Sequence, residues 1–294
     1  MRTLLLMLGG GVLALVALFA VAVFFVADEF DDVESDDPAT ELDDEAGADA
    51  CSPEAVGEDA GPIVVVYEVD RGTLGDPCFG EADDTTEAAW DELAQFVPPQ
   101  ELDALTLFAG FESDDGTLAF AGPMDDGHET FVIAVDLITA ADDPSELKLT
   151  MAHEYAHVIT QVHRQIDPSA GPDECATFHN GNGCFLDGSF MDDWIEQFWS
   201  ADELASLPAD GSEDVEGAED RCELDSGFLG AYAASHPEED FAETFSAFVF
   251  DLDVPASIEP KMDFMADRVD LLGYQDRALA SSDELPANTF DRCG

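Results

Sequence analysis

Two histidines one helical turn apart flank a glutamate in the segment His153-Glu154-Tyr155-Ala156-His157. Residues four apart lie on one face of an α-helix, so both imidazoles can reach the same Zn²⁺ ion. Glu154 projects about 100° further round the helix, where it can take a proton from activated water without being a ligand. The pattern therefore predicts a zinc-dependent hydrolytic site. The alternative is a histidine and glutamate cluster on a solvated helix face.

A third protein ligand would complete such a site, and the sequence offers two candidates. His163 has the spacing of an H-E-x-x-H-x-x-G-x-x-H motif, but Thr160 stands at the glycine position and resists the positive φ needed there. Glu243 lies in a later predicted helix, opposite an apolar stripe and among small residues. A carboxylate in such a tight place needs a cation, so Glu243 is favoured over His163 and over the alternative of a solvated glutamate. We expect one zinc ion per chain.

The histidine motif sits in the strongest helix signal of the sequence. Asp143 can serve as N-cap, Pro144 fits the first helical position, and apolar residues keep a helical period to about Ile166. The preceding segment predicts one helix and a small sheet. The helix is expected at residues 86–96 and the strands at residues 63–69, 105–111, 117–121 and 130–137.

Two further helices are predicted after the motif. Residues 187–199 carry an aromatic stripe that is typical of a packed helix. Ser235 can cap the helix that carries Glu243, and Pro237 is tolerated in its first turn. The apolar stripe of this helix is Phe241, Phe245, Phe248 and Val249, and its small residues are Ala242, Ser246 and Ala247. The whole pattern predicts an α+β body: a small mixed sheet, the motif helix and a helical C-terminal half.

The first 61 residues differ in composition from the body. Residues 4–26 carry no charge and are long enough to span a bilayer, with Arg2 before them and acidic residues after them. We expect residues 1–26 to form an uncleaved anchor that leaves the body outside the cell; a cleaved signal peptide is the alternative. Residues 27–61 predict an acidic disordered linker, so the folded domain is expected at residues 62–294.

The charge balance is extreme. The 294 residues include 68 Asp and Glu against 9 Lys and Arg, a formal net charge of -59, which excludes a nucleic-acid binder of the basic-patch kind. Hydrophobic residues make up 46% of the chain, enough for a folded core. Because the carboxylates are spread over the whole chain, we hypothesise an organism that lives at high salt. A calcium-loaded acidic protein is the alternative, although no EF-hand loop appears.

Six cysteines in an exported chain predict up to three disulfides. Cys175 and Cys184 flank a short Gly/Asn loop and are the first expected pair. None of the six forms a C-x-x-C pair, which argues against a thiolate zinc site. Buried free thiols are the alternative.

With these residues in view, the chain resembles the gluzincin side of the zincin metallopeptidases, in which H-E-x-x-H is completed by a glutamate on a later helix. More narrowly, it is similar to zinc-binding metallopeptidases of bacteria and archaea that carry an E-D-x-A-E segment downstream of H-E-x-x-H. The matching stretches are residues 149–161, 175–199 and 228–249. A weaker similarity extends towards the N-terminus as far as about Ile63, and it does not include the first 61 residues.

The resemblance implies a zincin-like α+β fold in which His153, His157 and Glu243 bind zinc and Glu154 acts as general base and later as proton donor. It also implies a peptidase that acts on peptide or protein substrates and, with the expected anchor, faces outward from the membrane. A zincin-fold binding or sensor module, or a processing protein dedicated to one substrate, is the alternative function. The intact Glu154 argues against an inactive enzyme.

The chain departs from the thermolysin-like pattern after the third expected ligand. Ala247, not an acid, stands four residues beyond Glu243, which leaves Asp240 or Glu239 to orient a histidine ligand. The resemblance further implies a donor for the developing oxyanion. Tyr232 is the favoured candidate and His236 the second, while an aromatic packing position is the alternative role for Tyr232.

We predict that the purified full chain is folded in molar salt and loses stability on dilution, because unscreened carboxylates repel one another. Circular dichroism of samples refolded across a salt series, with and without calcium, measures this. A calcium-loaded protein would instead be rescued in dilute buffer by calcium alone. Full stability in dilute buffer without divalent ions contradicts the high-salt hypothesis.

Overall fold

The computed structural model describes residues 51–57, 60–113, 116–208, 212–281, 285–290 and 293. The predicted anchor, and the linker up to residue 50, lie outside these ranges. Among the described residues, none of the helices combines the length and the apolar character needed to cross a bilayer.

One five-stranded sheet forms the scaffold. The strands in the described residues are β1 (Ile63–Asp70), β2 (Thr73–Phe79), β3 (Leu105–Phe111), β4 (Ala119–Pro123), β5 (Phe131–Asp136), β6 (Ile166–Asp167) and β7 (Cys184–Phe185). The first five pair in the order β2-β1-β3-β5-β4, and the last two form a separate small ribbon. Only β3 and β5 are parallel within the large sheet, so β4 is an antiparallel strand at one edge.

The four strands expected from the sequence correspond to β1, β3, β4 and β5, whereas β2 was not predicted. Gly75, Asp76 and Pro77 interrupt any alternating apolar pattern in β2, and a proline is accommodated because β2 is an edge strand. The hairpin closes because Arg71 and Gly72 both adopt positive φ, at 52° and 68°. β2 therefore forms because the turn at Arg71 and Gly72 folds the chain back on β1, and the hydrophobic pattern does not reveal it.

Ten α-helices occur in the described residues, and together with the sheet they make the fold α+β, as expected. They are α1 (Pro53–Val56), α2 (Asp84–Phe96), α3 (Leu137–Asp142), α4 (Pro144–Gln161), α5 (Phe190–Phe198), α6 (Ala201–Leu204), α7 (Val215–Leu224), α8 (Pro237–Val249), α9 (Glu259–Ala266) and α10 (Val269–Ser281). Two short 3₁₀ helices span Leu102–Ala104 and Pro172–Glu174.

The motif helix α4 starts where the sequence predicts and ends earlier. The side chain of Asp143 accepts hydrogen bonds from the backbone N–H groups at the start of α4, and Pro144 is its first residue. At the other end Val162 turns to extended geometry, with ψ of 148°, and Ile166 already belongs to β6. Both residues are buried, so their apolar character reflects core packing and not a continuing helix.

All six cysteines are paired, as Cys51–Cys78, Cys175–Cys184 and Cys222–Cys293. The expected Cys175–Cys184 pair is confirmed. The first disulfide ties α1 to β2, and Val56 of α1 is buried against residues of β1 and β3. The expectation of a disordered linker is therefore wrong for residues 51–57, because a disulfide and a buried valine hold this segment on the sheet.

Helix α8 packs against α4 along its small residues. The Ser246 hydroxyl donates a hydrogen bond to the Leu149 carbonyl at 3.1 Å, and Ala242 is fully buried. On the opposite side Phe241 meets Trp194 of α5 edge to face, with ring centroids 5.2 Å apart. The predicted division of α8 into a small-residue face and an apolar stripe is confirmed.

A buried ion pair fixes the rotation of α8. The Asp240 carboxylate is fully buried and lies 2.6 Å from Lys261 Nζ in α9. The indole N–H groups of Trp194 and Trp199 both donate to the same carboxylate at 3.0 Å. Burial raises the pKa of Asp240, and Lys261 opposes that rise. The sequence allowed Asp240 to orient a metal-binding histidine. This prediction is wrong, because the Asp240 side chain faces away from the motif helix α4.

We predict that Lys261→Met lowers the free energy of unfolding by about 3–5 kcal/mol, since it leaves the Asp240 carboxylate buried without its counter-charge. Chemical denaturation of the full chain in molar salt measures the change. The matched control is Arg71→Met, which removes the solvent-exposed pair of Arg71 with Asp70 and should not alter stability measurably. Equal effects of the two substitutions would contradict this account.

Candidate metal centre

Two histidines of α4 and one glutamate of α8 converge on a common point. His153 Nε2 lies 3.1 Å from His157 Nε2 and 2.9 Å from Glu239 Oε2. The third edge of the triangle, from His157 Nε2 to Glu239 Oε2, is 3.5 Å. Among the described residues, these three form the group whose donor atoms lie close enough together to hold a metal ion.

The geometry of this group fits zinc. Bonds of about 2.0–2.2 Å at tetrahedral angles separate ligand atoms by about 3.3 Å. The observed edges of 2.9, 3.1 and 3.5 Å bracket that value. Two imidazoles and one carboxylate also make the donor set of catalytic zinc sites, which keep a fourth position for water or substrate.

The electrostatics of the group favour a bound cation. Burial alone lowers the pKa of His153, but hydrogen bonds to Glu239 and Glu243 outweigh it and hold that pKa well above its usual range. Burial conversely raises the pKa of Glu239, yet His157 and His153 bring it well below its usual range. The carboxylates therefore create a negative potential at the histidine nitrogens. The same potential would stabilise a bound divalent cation.

The structure exchanges the roles that the sequence suggested for Glu239 and Glu243. Glu243 Oε1 lies 3.4 Å from His153 Nδ1, the ring nitrogen that points away from the converging donors. This position suits a carboxylate that orients His153, whereas the Glu239 carboxylate supplies the oxygen that converges with the two histidine nitrogens. The two residues are one turn apart on the same face of α8, so the depth at which α8 crosses α4 decides between them.

Glu238 and His236, at the start of α8, make structural hydrogen bonds. Glu238 accepts hydrogen bonds from Gln161 Nε2 at 2.9 Å and from Asn180 Nδ2 at 3.0 Å. His236, not Ser235, is the N-cap of α8, because its Nδ1 accepts from the Glu238 backbone N–H at 3.4 Å. The expected Ser235 cap is thus wrong, and the buried His236 ring is not among the side chains that line the cleft described next.

A cleft of about 980 Å³ opens above the converging ligands. Its lining consists of residues 116–121, which include the start of β4, of residues from α4 and α8, and of Glu213, Val215, Tyr232 and residues 289–290. β4 has a free edge towards this cleft. The Leu118 carbonyl accepts a hydrogen bond from the Asp136 N–H, and the Met124 N–H donates to the Thr130 carbonyl. Backbone groups alternate in direction along a strand, so those of Ala119 and Ala121 point away from β5.

Glu154 borders the cleft without joining the ligand group. It is 6% exposed, and the backbone N–H of Ala121 donates to its carboxylate. Burial raises the pKa of Glu154, while His153 and His157 hold it down. A carboxylate with a raised pKa beside a metal site is a suitable acceptor of a proton from water.

Tyr232 also reaches the site. Its ring stacks on His153 with centroids 5.6 Å apart, and it lines the cleft. Desolvation raises the pKa of Tyr232, and the carboxylates of Glu239 and Glu213 raise it further, so the hydroxyl stays protonated and can donate. Sequence reasoning missed Glu213, which lies in an acidic loop with no motif to distinguish it.

The alternative third ligand, His163, lies outside the group. It follows the end of α4, its side chain is exposed, and its backbone N–H donates to the His128 carbonyl at 3.1 Å. Thr160 instead remains inside the helix, where its hydroxyl donates to the Ala156 carbonyl. The chain therefore does not make the turn back to the metal that a third histidine in this motif would require.

No family model and no curated protein matches the chain. A search of solved structures finds the crystal structure of a protein from Bacteroides caccae described as "a putative zinc-binding metallo-peptidase". The likeness has 18% sequence identity, covers 67% of this chain and 64% of the other, and has a TM-score of 0.28. A TM-score this low does not establish a shared fold.

We predict that the full chain binds about one zinc ion and that Glu239→Ala abolishes stable binding, because it removes a ligand atom. Glu243→Ala should keep the site and weaken zinc affinity by about 10–100-fold, as loss of an orienting carboxylate does. Competition with a zinc chelator gives the affinities, and mass spectrometry gives the stoichiometry. His163→Ala is the control and should bind as wild type. Loss in Glu243→Ala with retention in Glu239→Ala would restore the assignment made from sequence.

Proposed function

We propose that this protein is a zinc-dependent peptidase with the metal held by His153, His157 and Glu239. The observation that carries the proposal is the convergence of three zinc-type donor atoms in the lining of an open cleft, with Glu154 beside them. Zinc bound there would act as a Lewis acid on the scissile carbonyl and lower the pKa of water. This chemistry is that of peptide hydrolysis.

The side chains around the donors supply the remaining steps. The Glu154 carboxylate takes the proton of the attacking water and passes it to the leaving amine. The Tyr232 hydroxyl donates a hydrogen bond to the oxygen that becomes negatively charged in the transition state. Glu243 holds the His153 ring in the orientation that directs Nε2 at the site.

The free edge of β4 offers a place for the substrate backbone. An extended peptide can add to such an edge through main-chain hydrogen bonds, independent of its side chains. Ala119 and the carbonyl of Ala121 direct their backbone groups to that edge, and the short alanine side chains leave room in the cleft. The substrate carbonyl would then pass close to Glu154, which the Ala121 N–H already contacts.

We also propose that the protein works outside the cytoplasm. Three disulfides support this, because such bonds persist in oxidising compartments. The anchor at residues 4–26 remains a prediction of the sequence. Protease protection in intact cells, with an epitope at the C-terminus, tests on which side of the membrane the body lies.

We predict that Glu154→Gln lowers peptide turnover by about 10²–10⁴-fold, because it removes the proton acceptor, while zinc content stays unchanged. Turnover of a peptide library in molar salt, followed by mass spectrometry, measures the loss. His163→Ala provides a control with unchanged activity. Equal turnover by wild type and Glu154→Gln, or turnover by neither, would refute a peptidase and favour a binding or sensor module.

A further inference from the structure

The cleft contains an unusual set of charges. Six glutamates line it, and none of the described lysines or arginines does. The six are Glu146, Glu154, Glu213, Glu238, Glu239 and Glu243. Four of them are accounted for by the proposed zinc site, by Glu154 as general base, and by the amides that bind Glu238. Glu146 and Glu213 have no such role.

Glu213 and Glu146 both line the cleft, and Glu146 lies in the first turn of α4, about two turns before His153. The charges of Glu239, His157, His153 and Glu154 all act on the Glu213 carboxylate. Desolvation raises the pKa of Glu213, the carboxylates of Glu239 and Glu154 add to that rise, and His157 and His153 oppose it. No hydrogen bond or ion pair to Glu213 occurs among the described residues. The Glu213 side chain is exposed, so its carboxylate is open to a group that enters the cleft.

The backbone around Glu213 is held in place. The Asp214 N–H donates to the Ser235 carbonyl at 3.1 Å, just before α8, and the Asp214 side chain caps α7. Arg221 pairs with Asp214 at 2.9 Å and donates to the Ala234 carbonyl at 2.8 Å. The Cys222–Cys293 disulfide secures α7 further. Arg221 is thus engaged with Asp214, and the contacts of Asp214 fix the chain directly after Glu213.

We infer that Glu213 selects peptides that carry a positive charge close to the scissile bond, either a Lys or Arg side chain or a free amino terminus. This inference rests on the proposed peptidase function and names its substrate class. An ammonium or guanidinium group would supply the hydrogen-bonded counter-charge that the chain withholds from Glu213. Glu213 acts as a specificity residue and takes no part in bond cleavage.

Under the high-salt hypothesis, this selectivity must come from a short-range contact between Glu213 and the peptide. At about 1 M salt the Debye length is about 3 Å, so the overall charge of -59 cannot steer peptides to the cleft. Only a carboxylate in contact with the substrate can then discriminate between charged and neutral peptides. Selection that survives in molar salt must come from a contact such as that of Glu213.

Peptide binding to zinc-loaded, full-length Glu154→Gln protein tests the inference without turnover. The probes are fluorescent peptides with blocked ends that carry one lysine, or its neutral acetylated form, at successive positions. A second pair compares a free with an acetylated amino terminus. In molar salt, we expect the cationic member of at least one pair to bind about 10–100-fold more tightly. The two sets of probes distinguish a side-chain cation from an amino terminus.

Adding Glu213→Gln should abolish this preference, Glu146→Gln should leave it intact, and Glu213→Lys should reverse it towards peptides with Asp or Glu. Zinc content and circular dichroism confirm that each variant is folded. Equal binding of both members of every pair, or a preference that persists in Glu213→Gln, overturns the inference. Cleavage by wild type without a cation preference refutes only this inference, whereas preference without cleavage refutes only the peptidase.

Discussion

Four carboxylates on the first two turns of one helix, three of them buried and the fourth half-buried, are the constraint on which the rest of this structure depends. Each buried carboxylate needs its own compensation, because an isolated buried charge costs several kcal/mol. In α8, Glu238 has two amides, Glu239 and Glu243 have histidines, and Asp240 has Lys261 and two indoles. These partners come from different helices and loops, so only one rotation and depth of α8 satisfies all of them.

That placement of α8 generates the site. The small residues Ala242 and Ser246 let α8 approach α4 closely enough for Glu239 to meet both imidazoles of the motif. The sheet contributes its edge strand β4, which brings the Ala121 N–H to the Glu154 carboxylate. The proposed chemistry therefore needs three elements from distant parts of the chain, and each is anchored in the core by separate contacts.

Salt screens the exposed charges of the surface much more than the buried charges of the site. Exposed carboxylates are screened by salt, so a chain of net charge -59 can remain folded in concentrated salt. Buried charges are screened much less, and the Asp240–Lys261 pair and the His153–Glu239 pair keep their strength there. The buried charges of the site therefore keep their strength at salt concentrations that screen the surface carboxylates.

The sequence by itself determined what depends on local geometry. The four-residue spacing of His153 and His157 places both on one helix face in any fold, and the cap of α4, the Cys175–Cys184 loop and four strands followed from short-range patterns. It favoured Glu243 as the third ligand, whereas Glu239, one turn away on the same helix face, is the residue that converges with the two histidines. Tertiary structure decides which carboxylate meets the histidines, because Glu239 lies 86 residues from His153 in the sequence and only the packing depth of α8 on α4 sets which carboxylate reaches them. Glu213 entered the cleft for the same reason: its place depends on how its loop packs beside α8, and no local pattern encodes that.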